Sequence, residues 1–202
     1  MKVSKILVAV SAALVLAFTS CASTKVDRVS SDTQIDLSGY WNDSDVKIVC
    51  ESLINDCISS PRIAKFEDQN GRAPNVKLGK FANKSSEHID TKIVAQKFQT
   101  AIINSGVLEF VADNDQVAEI REEQSSQADF ASVDTAAEMF NETGADWMLQ
   151  GSVRTIVDTL DNQTVRTYYV EAQLIDVTTT KIIWQGENSE IKKYIKRAKV
   201  KA

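Results

Sequence analysis

The last third of this 202-residue chain decides its fold. It reads DWMLQGSVRTIVD over residues 146–158, TVRTYYVEAQLIDV over residues 164–177 and KIIWQG over residues 181–186. These runs are rich in β-branched and aromatic residues, and short polar stretches at residues 161–162 and 178–180 separate them. Because successive strands joined by short turns form antiparallel sheets, the sequence predicts a C-terminal β-meander.

Upstream of the meander, helical and strand patterns alternate. Apolar spacing and capping residues predict four helices, at residues 42–59, 90–106, 113–124 and 132–143. Shorter runs predict strands at residues 75–82 and 107–112. The expected fold is a single layered α/β domain, with helices packed on a mixed or antiparallel sheet of four to five strands. The helical side chains Ile93, Phe98 and Ile102 are expected to bury against Val170, Ala172 and Leu174.

The N-terminus has the features of an export signal. Lys2 and Lys5 precede an almost wholly apolar run, residues 6–18, and Thr19 and Ser20 lead to Cys21. Such a pattern is typical of a secretory signal peptide, and the run is shorter than the roughly 20 apolar residues of a spanning helix. A cysteine directly after the cleavage point resembles the bacterial lipobox. We expect a lipid on Cys21; the alternatives are an ordinary cleaved signal peptide or an uncleaved anchor.

A polar segment follows the expected lipid anchor. Residues 22–38, ASTKVDRVSSDTQIDLS, sustain neither a helical nor a strand period, which predicts a flexible tether. Fully extended, these residues reach roughly 60 Å at most. The predicted organisation is a signal peptide at 1–20, the lipidated cysteine and tether at 21–38, the α/β domain at 39–193 and a basic tail at 194–202.

Charge is distributed unevenly along the chain. The net charge is −5, yet residues 192–202 contain six bases and no acid. The basic end is interpreted as a solvated, frayed terminus, with a strand extension or a segment that touches anionic lipid headgroups as alternatives. Because the rest of an exported chain is acidic, nucleic acid is not an expected partner.

No set of residues predicts catalysis, a metal or a cofactor. The single histidine, His88, stands in a polar stretch, and the chain has no Gly-x-Ser-x-Gly elbow and no glycine-rich phosphate loop. Cys50, Cys57 and His88 lack the close spacing of zinc ligands. On one helix Cys50 and Cys57 would lie roughly 10 Å apart, too far for a mutual disulfide. Two buried thiols are favoured over a disulfide to another chain.

Several stretches together resemble the family of penicillin-binding protein activators named LpoB. They include LSGYWND at residues 37–43, Asp56-Cys57, NKSSEHIDT at residues 83–91, GADWMLQG at residues 144–151, Tyr168-Tyr169 and Ile183-Trp184. The resemblance implies a non-enzymatic outer-membrane lipoprotein that binds a class A (bifunctional) penicillin-binding protein and stimulates peptidoglycan synthesis. It assigns no individual contact residue, and the domain is expected to be monomeric.

A second hypothesis is a structural or secretion-associated envelope lipoprotein similar to the curli-pore family. The predicted meander strands reach the 9–11 residues that a membrane-spanning strand needs. However, Arg154, Asp158 and Glu171 interrupt the apolar alternation, which favours a soluble sheet.

Overall fold

Ten regular elements make up the described part of the chain. The computed structural model describes residues 25–30, 33–128 and 142–197. Contacts divide the chain into one unit, Met1–Thr33, and a second, Gln34–Ala202. The described residues of the first unit form no helix or strand. Those of the second form α1 (Asp43–Ile58), α2 (Pro61–Asn70), β1 (Asn75–Asn83), α3 (Thr91–Ser105), β2 (Glu109–Phe110), α4 (Asn114–Ala128), β3 (Trp147–Leu160), β4 (Gln163–Asp176), β5 (Ile182–Asn188) and β6 (Lys192–Lys196).

One mixed sheet organises the second unit. Its strand order is β2-β1-β3-β4-β5, and β6 also pairs with β4. β1 runs parallel to both β2 and β3, whereas every pairing of β4 is antiparallel. The predicted α/β class and C-terminal meander are confirmed. The sheet has six strands rather than four or five because Lys192–Lys196, largely assigned to the tail by its charge, pairs with β4.

The hydrophobic core lies between the sheet and helices α1 and α3. Phe98 and Ile102 are fully buried, together with Val170, Ala172 and Leu174 of β4, as predicted. Ile93, however, is about half exposed, and its neighbour Val94 is buried in its place. A four-residue spacing joins residues 94, 98 and 102 on one side of α3, which turns residue 93 away from the sheet.

Two upstream elements differ from the prediction. Pro61, expected to follow the end of the first helix, instead opens α2: the Ser60 hydroxyl accepts from Arg62 N (3.4 Å), and Gly71 ends the helix. Proline suits a first helical position because its missing N–H would have no helical partner there. The predicted strand at residues 107–112 is reduced to Glu109–Phe110.

Some predicted segments lie outside the described residues. They are the signal peptide, Cys21, the end of the basic tail at residues 198–202, and the fourth helix except for Glu142 and Thr143, which are not helical. In the described ranges, no helix is both long enough and apolar enough to cross a membrane.

Asp146 ties the starts of β1 and β3 together. Its carboxylate accepts two hydrogen bonds from the Arg72 guanidinium (2.7 and 2.9 Å) and one from Asn75 N (2.8 Å). The Arg72 hydrogen bonds hold the pKa of Asp146 below its usual value. The acidic residue of the Gly-Ala-Asp stretch therefore has a structural role where these two neighbouring strands begin.

Candidate functional site

The segment that precedes α1 is fastened to the sheet, and we call residues 34–42 the strap. The Lys193 ammonium of β6 lies 2.6 Å from an Asp36 carboxylate oxygen and 2.8 Å from the Tyr40 carbonyl oxygen. The same ammonium lies 2.7 Å from Asp45 in the first turn of α1. One lysine thus joins the strap, the first helix and the last strand.

Asn42 connects the strap to the helix cap. Its side-chain oxygen accepts from Asp45 N (3.2 Å), while Asn42 N donates to the Asp45 carboxylate (2.9 Å). These reciprocal bonds form a capping box, which satisfies backbone donors that the helix leaves free. The Asn42 amide nitrogen also donates to Asp36 (2.6 Å). Strap and helix therefore share one hydrogen-bond network.

A second cluster centres on Glu87, in the loop between β1 and α3. Arg166 of β4 donates to Glu87 Oε1 (2.7 Å), and the Tyr168 hydroxyl donates to Oε2 (2.8 Å). The backbone N–H of Trp41 also points at Oε2 (3.4 Å). The Arg166 and Glu87 side chains are only 12% and 8% exposed, so this ion pair is largely removed from water.

Two aromatic contacts complete the site. The Arg166 guanidinium carbon lies 3.9 Å from the centre of the Tyr40 ring, a cation–π geometry. The Trp41 and Tyr168 rings pack with their centres 5.3 Å apart. Tyr40 is nevertheless 44% exposed. Lys193 therefore holds the backbone of Tyr40 and Arg166 covers one face of its ring, while the rest of the ring is exposed to solvent.

Gly39 allows the strap to lie directly on β6. Its φ is +72°, a conformation that L side chains rarely adopt. A Cβ built there would lie 2.5 Å from Ile195 Cγ1, well inside contact distance. The glycine of the Gly-Tyr-Trp stretch is thus required both by backbone angle and by close packing.

Burial and hydrogen bonding shift the acidities of this site in opposite directions. Hydrogen bonds from Lys193, then from Asn42, lower the pKa of Asp36. Burial raises the pKa of Asp45, against the lowering effect of its hydrogen bond with Lys193. Burial, and then the hydrogen bond to Glu87, raise the pKa of Tyr168. Lys193 therefore contacts two carboxyl groups whose pKa values are shifted in opposite directions.

The site unites three stretches that are far apart in sequence. Gly39, Tyr40 and Trp41 meet Glu87 of the 83–91 stretch and Tyr168 of the meander. Arg166 and Lys193 were not singled out by any sequence motif. The sequence signal that could have identified them is a basic residue at an inward-facing strand position. A charge at such a position predicts an acidic partner, because a buried charge needs one.

The other candidate residues lie elsewhere. His88 is exposed, and its ring forms no hydrogen bond within the described ranges. Cys50 and Cys57 are buried free thiols, as favoured by their spacing, and burial raises the pKa of each to about 12. Asp56, which precedes Cys57, accepts a hydrogen bond from the Trp184 indole (2.9 Å) and so docks α1 on β5.

The contacts of this site fix the strap in place on the domain, and they do not form a recognisable catalytic arrangement. The Glu87 carboxylate is surrounded by three donors, which leaves it poorly placed to act as a base. Across the described residues, no group of three or more His, Cys, Asp or Glu side chains is placed to hold a metal ion. What the network fixes is the position of the strap and of Tyr40.

Comparisons with known proteins identify a family. The sequence profile of the peptidoglycan-synthase activator LpoB matches residues 45–189, and no curated protein matches the chain. Similar solved structures include the LpoB C-terminal domain from Salmonella enterica (17% identity, 68% of this chain and 94% of that one, TM-score 0.35). The corresponding Escherichia coli domain is 18% identical, with 63% of this chain and 90% of that one covered and a TM-score of 0.37. Lipoprotein GNA1162 from Neisseria meningitidis is 16% identical, with 60% of this chain and 83% of that one covered and a TM-score of 0.36.

Proposed function

Since the chain belongs to the LpoB family of peptidoglycan-synthase activators, we propose that it binds and activates a class A penicillin-binding protein. The observation that carries this proposal is the family match over residues 45–189, which begins in α1 and ends just after β5. The family is one of regulatory activators rather than enzymes. The chain accordingly acts by binding its partner and not by a reaction of its own.

The protein is held at the outer membrane, facing the periplasm, by a lipid on Cys21. Because the strap is fastened to the domain, only the twelve residues 22–33 separate Cys21 from it. Twelve residues span about 40 Å at most, which is shorter than the reach of the whole segment to residue 38. The synthase must therefore reach the strap at a point no more than about 40 Å from the lipid-bearing Cys21.

The anchor is tested by Cys21→Ala in the full-length chain. Without the thiol no lipid can be attached, so we expect the Cys21→Ala protein to incorporate no labelled fatty acid. Cys57→Ala serves as the matched control and keeps the label. Equal labelling of the Cys21→Ala and unsubstituted proteins would contradict a lipid on Cys21.

The exposed side of the strap is the proposed contact surface for the synthase. Tyr40 offers a large ring whose orientation is held by Arg166 and Lys193, so little conformational entropy is lost on binding. Leu37, on the same strap, is almost fully exposed. Rigid tyrosines beside apolar surface are frequent among residues that dominate binding energy.

Binding is measured with the cognate class A synthase immobilised and residues 22–202 of this protein in solution. We expect Tyr40→Ala to weaken affinity about tenfold or more, as for an interface residue of high binding energy. Tyr194→Ala is the matched control: Tyr194 is 61% exposed but alternates with Lys193 along β6, so it lies on the opposite face.

Two results would contradict this interface. One is equal affinity of the Tyr40→Ala and unsubstituted proteins, and the other is an equal loss in Tyr194→Ala. Thermal unfolding of each variant shows whether a loss of binding reflects a loss of fold.

A further inference from the structure

One stretch of the sheet edge is open and apolar. β3 pairs with β4 along its whole length, but its pairing with β1 ends at Val153. Lys84 N donates to the Val153 carbonyl oxygen (2.8 Å), and no described strand lies beyond it on that side. Within the described ranges, residues 154–160 therefore form a free edge, on which Ile156 is 60% and Leu160 75% exposed.

The backbone groups of this edge are directed outward. Because N–H and C=O groups alternate sides along a strand, Thr155 and Val157 share the outward direction of the Val153 carbonyl. Exposed edges of this kind are templates for pairing, and proteins blunt them with charges, especially lysine. β6 follows that rule with three lysines among its five residues. The β3 edge has no lysine and exposes both Ile156 and Val157, one on each face of the strand.

The sequence of this edge is complementary to itself. It reads Arg154-Thr155-Ile156-Val157-Asp158, with opposite charges at equal distances on either side of Ile156. In antiparallel pairing about Ile156, Arg154 of one copy faces Asp158 of the other, twice. Both charges lie on the same face as Ile156, because side chains two apart share a face. Neither forms an ion pair with another residue in the described ranges.

We propose that two copies of this chain pair through residues 154–158 of β3 as a two-fold symmetric, antiparallel strand pair. Ile156 meets its own counterpart on the axis, between two Arg154–Asp158 ion pairs. Thr155 and Val157 exchange backbone hydrogen bonds across the axis. Opposite charges directly across a strand pair stabilise it, and an isologous contact of this kind closes at a dimer. The pairing replaces the monomer expected from the sequence.

The pairing is short and therefore weak in dilute solution. Lys84 occupies the Val153 carbonyl, which stops the strand pair from extending further in that direction. Confinement of copies to one membrane raises their effective concentration, so the pairing is best tested in the native envelope. The dimer forms without the synthase. An experiment that contradicts the dimer therefore leaves the proposed synthase activation untouched, and the reverse also holds.

A cysteine on the axis tests the geometry. In the full-length chain, Ile156→Cys places two thiols in a closely spaced pair, with Cβ atoms about 4.5–5.5 Å apart, so mild oxidation is expected to give a disulfide-linked homodimer. Leu160→Cys is the matched control on the same strand and face. Two copies of residue 160 would lie about 27 Å apart, so we expect at least about tenfold less cross-linked dimer.

Charge reversal tests the partner. In the Ile156→Cys background, Arg154→Asp opposes like charges twice and is expected to lower dimer formation about tenfold. Adding Asp158→Arg restores the opposite pairs and is expected to restore the dimer. Because these residues are exposed, recovery in the double variant also shows that the fold is retained.

Three results would overturn the proposal. They are equal cross-linking through residues 156 and 160, no rescue by the second reversal, and a cross-linked product whose mass corresponds to a different protein. The last result would assign the edge to an extended segment of another partner.

Discussion

Glu87→Ala is expected to lower the free energy of unfolding by about 3–5 kcal/mol, because it leaves the Arg166 charge buried and unpaired. The substitution also removes the acceptor for the Tyr168 hydroxyl and for Trp41 N. A buried donor without a partner carries its own desolvation cost. Urea unfolding of residues 22–202 at neutral pH measures the loss.

Two companion variants sharpen this result. Glu187→Ala removes an exposed carboxylate and is expected to change stability by less than about 0.5 kcal/mol. Glu87→Leu combined with Arg166→Met replaces both charges and is expected to cost less than the sum of the single substitutions. Strict additivity would contradict a direct ion pair at this site.

Lys193→Met is expected to destabilise the protein by about 3 kcal/mol at pH 7, since it leaves the buried Asp45 carboxylate without its counter-charge. Methionine keeps much of the apolar stem, so the loss reports mainly on the ammonium. The neighbouring exposed Lys192→Met is the matched control and is expected to be near neutral. The free energy of unfolding in urea again provides the measurement.

The loss in Lys193→Met should depend on pH. Burial already raises the pKa of Asp45, so the folded protein binds that proton more tightly than the unfolded chain does. Folding is then favoured as the pH falls, because protonation removes the unpaired buried charge. The difference from the unsubstituted protein should shrink between pH 7 and about pH 4. A difference that stays constant or grows towards acid pH would contradict the assigned role of Lys193.

Local signals predicted the elements that depend on neighbouring residues. Asn42 and Asp90 cap helices where expected, and Gly106 ends α3 in a left-handed conformation. The capping box from Asp113 to Gln116 is also present. Such contacts lie within three or four residues of each other, so the sequence alone determines them.

The register of β1 could not be predicted in the same way. Strict alternation would place Phe81 with Lys77 and away from Val76, yet both Phe81 and Val76 are buried. A register shift between Leu78 and Phe81 reverses the alternation. A Cβ at Gly79 would lie 2.8 Å from Met148 Cγ, so this irregularity depends on close approach to a strand about 70 residues away.

The site formed around the strap could not be predicted from the sequence either. Its parts come from residues 36–45, from Glu87 and from β4 and β6, and only the folded sheet brings them together. The sequence assigns residues 34–38 to the flexible tether because they sustain no helical or strand period. Their fastening comes from Lys193, which lies more than 150 residues away in sequence.

The rate of glycan polymerisation by the cognate class A synthase tests the central claim most directly. The synthase is supplied with its lipid-linked precursor, and the rate is measured with and without residues 22–202 of this protein. The account predicts a higher rate with the unsubstituted protein and little or no increase with Tyr40→Ala. An unchanged rate at a concentration that saturates binding would contradict the assignment of this protein as a synthase activator.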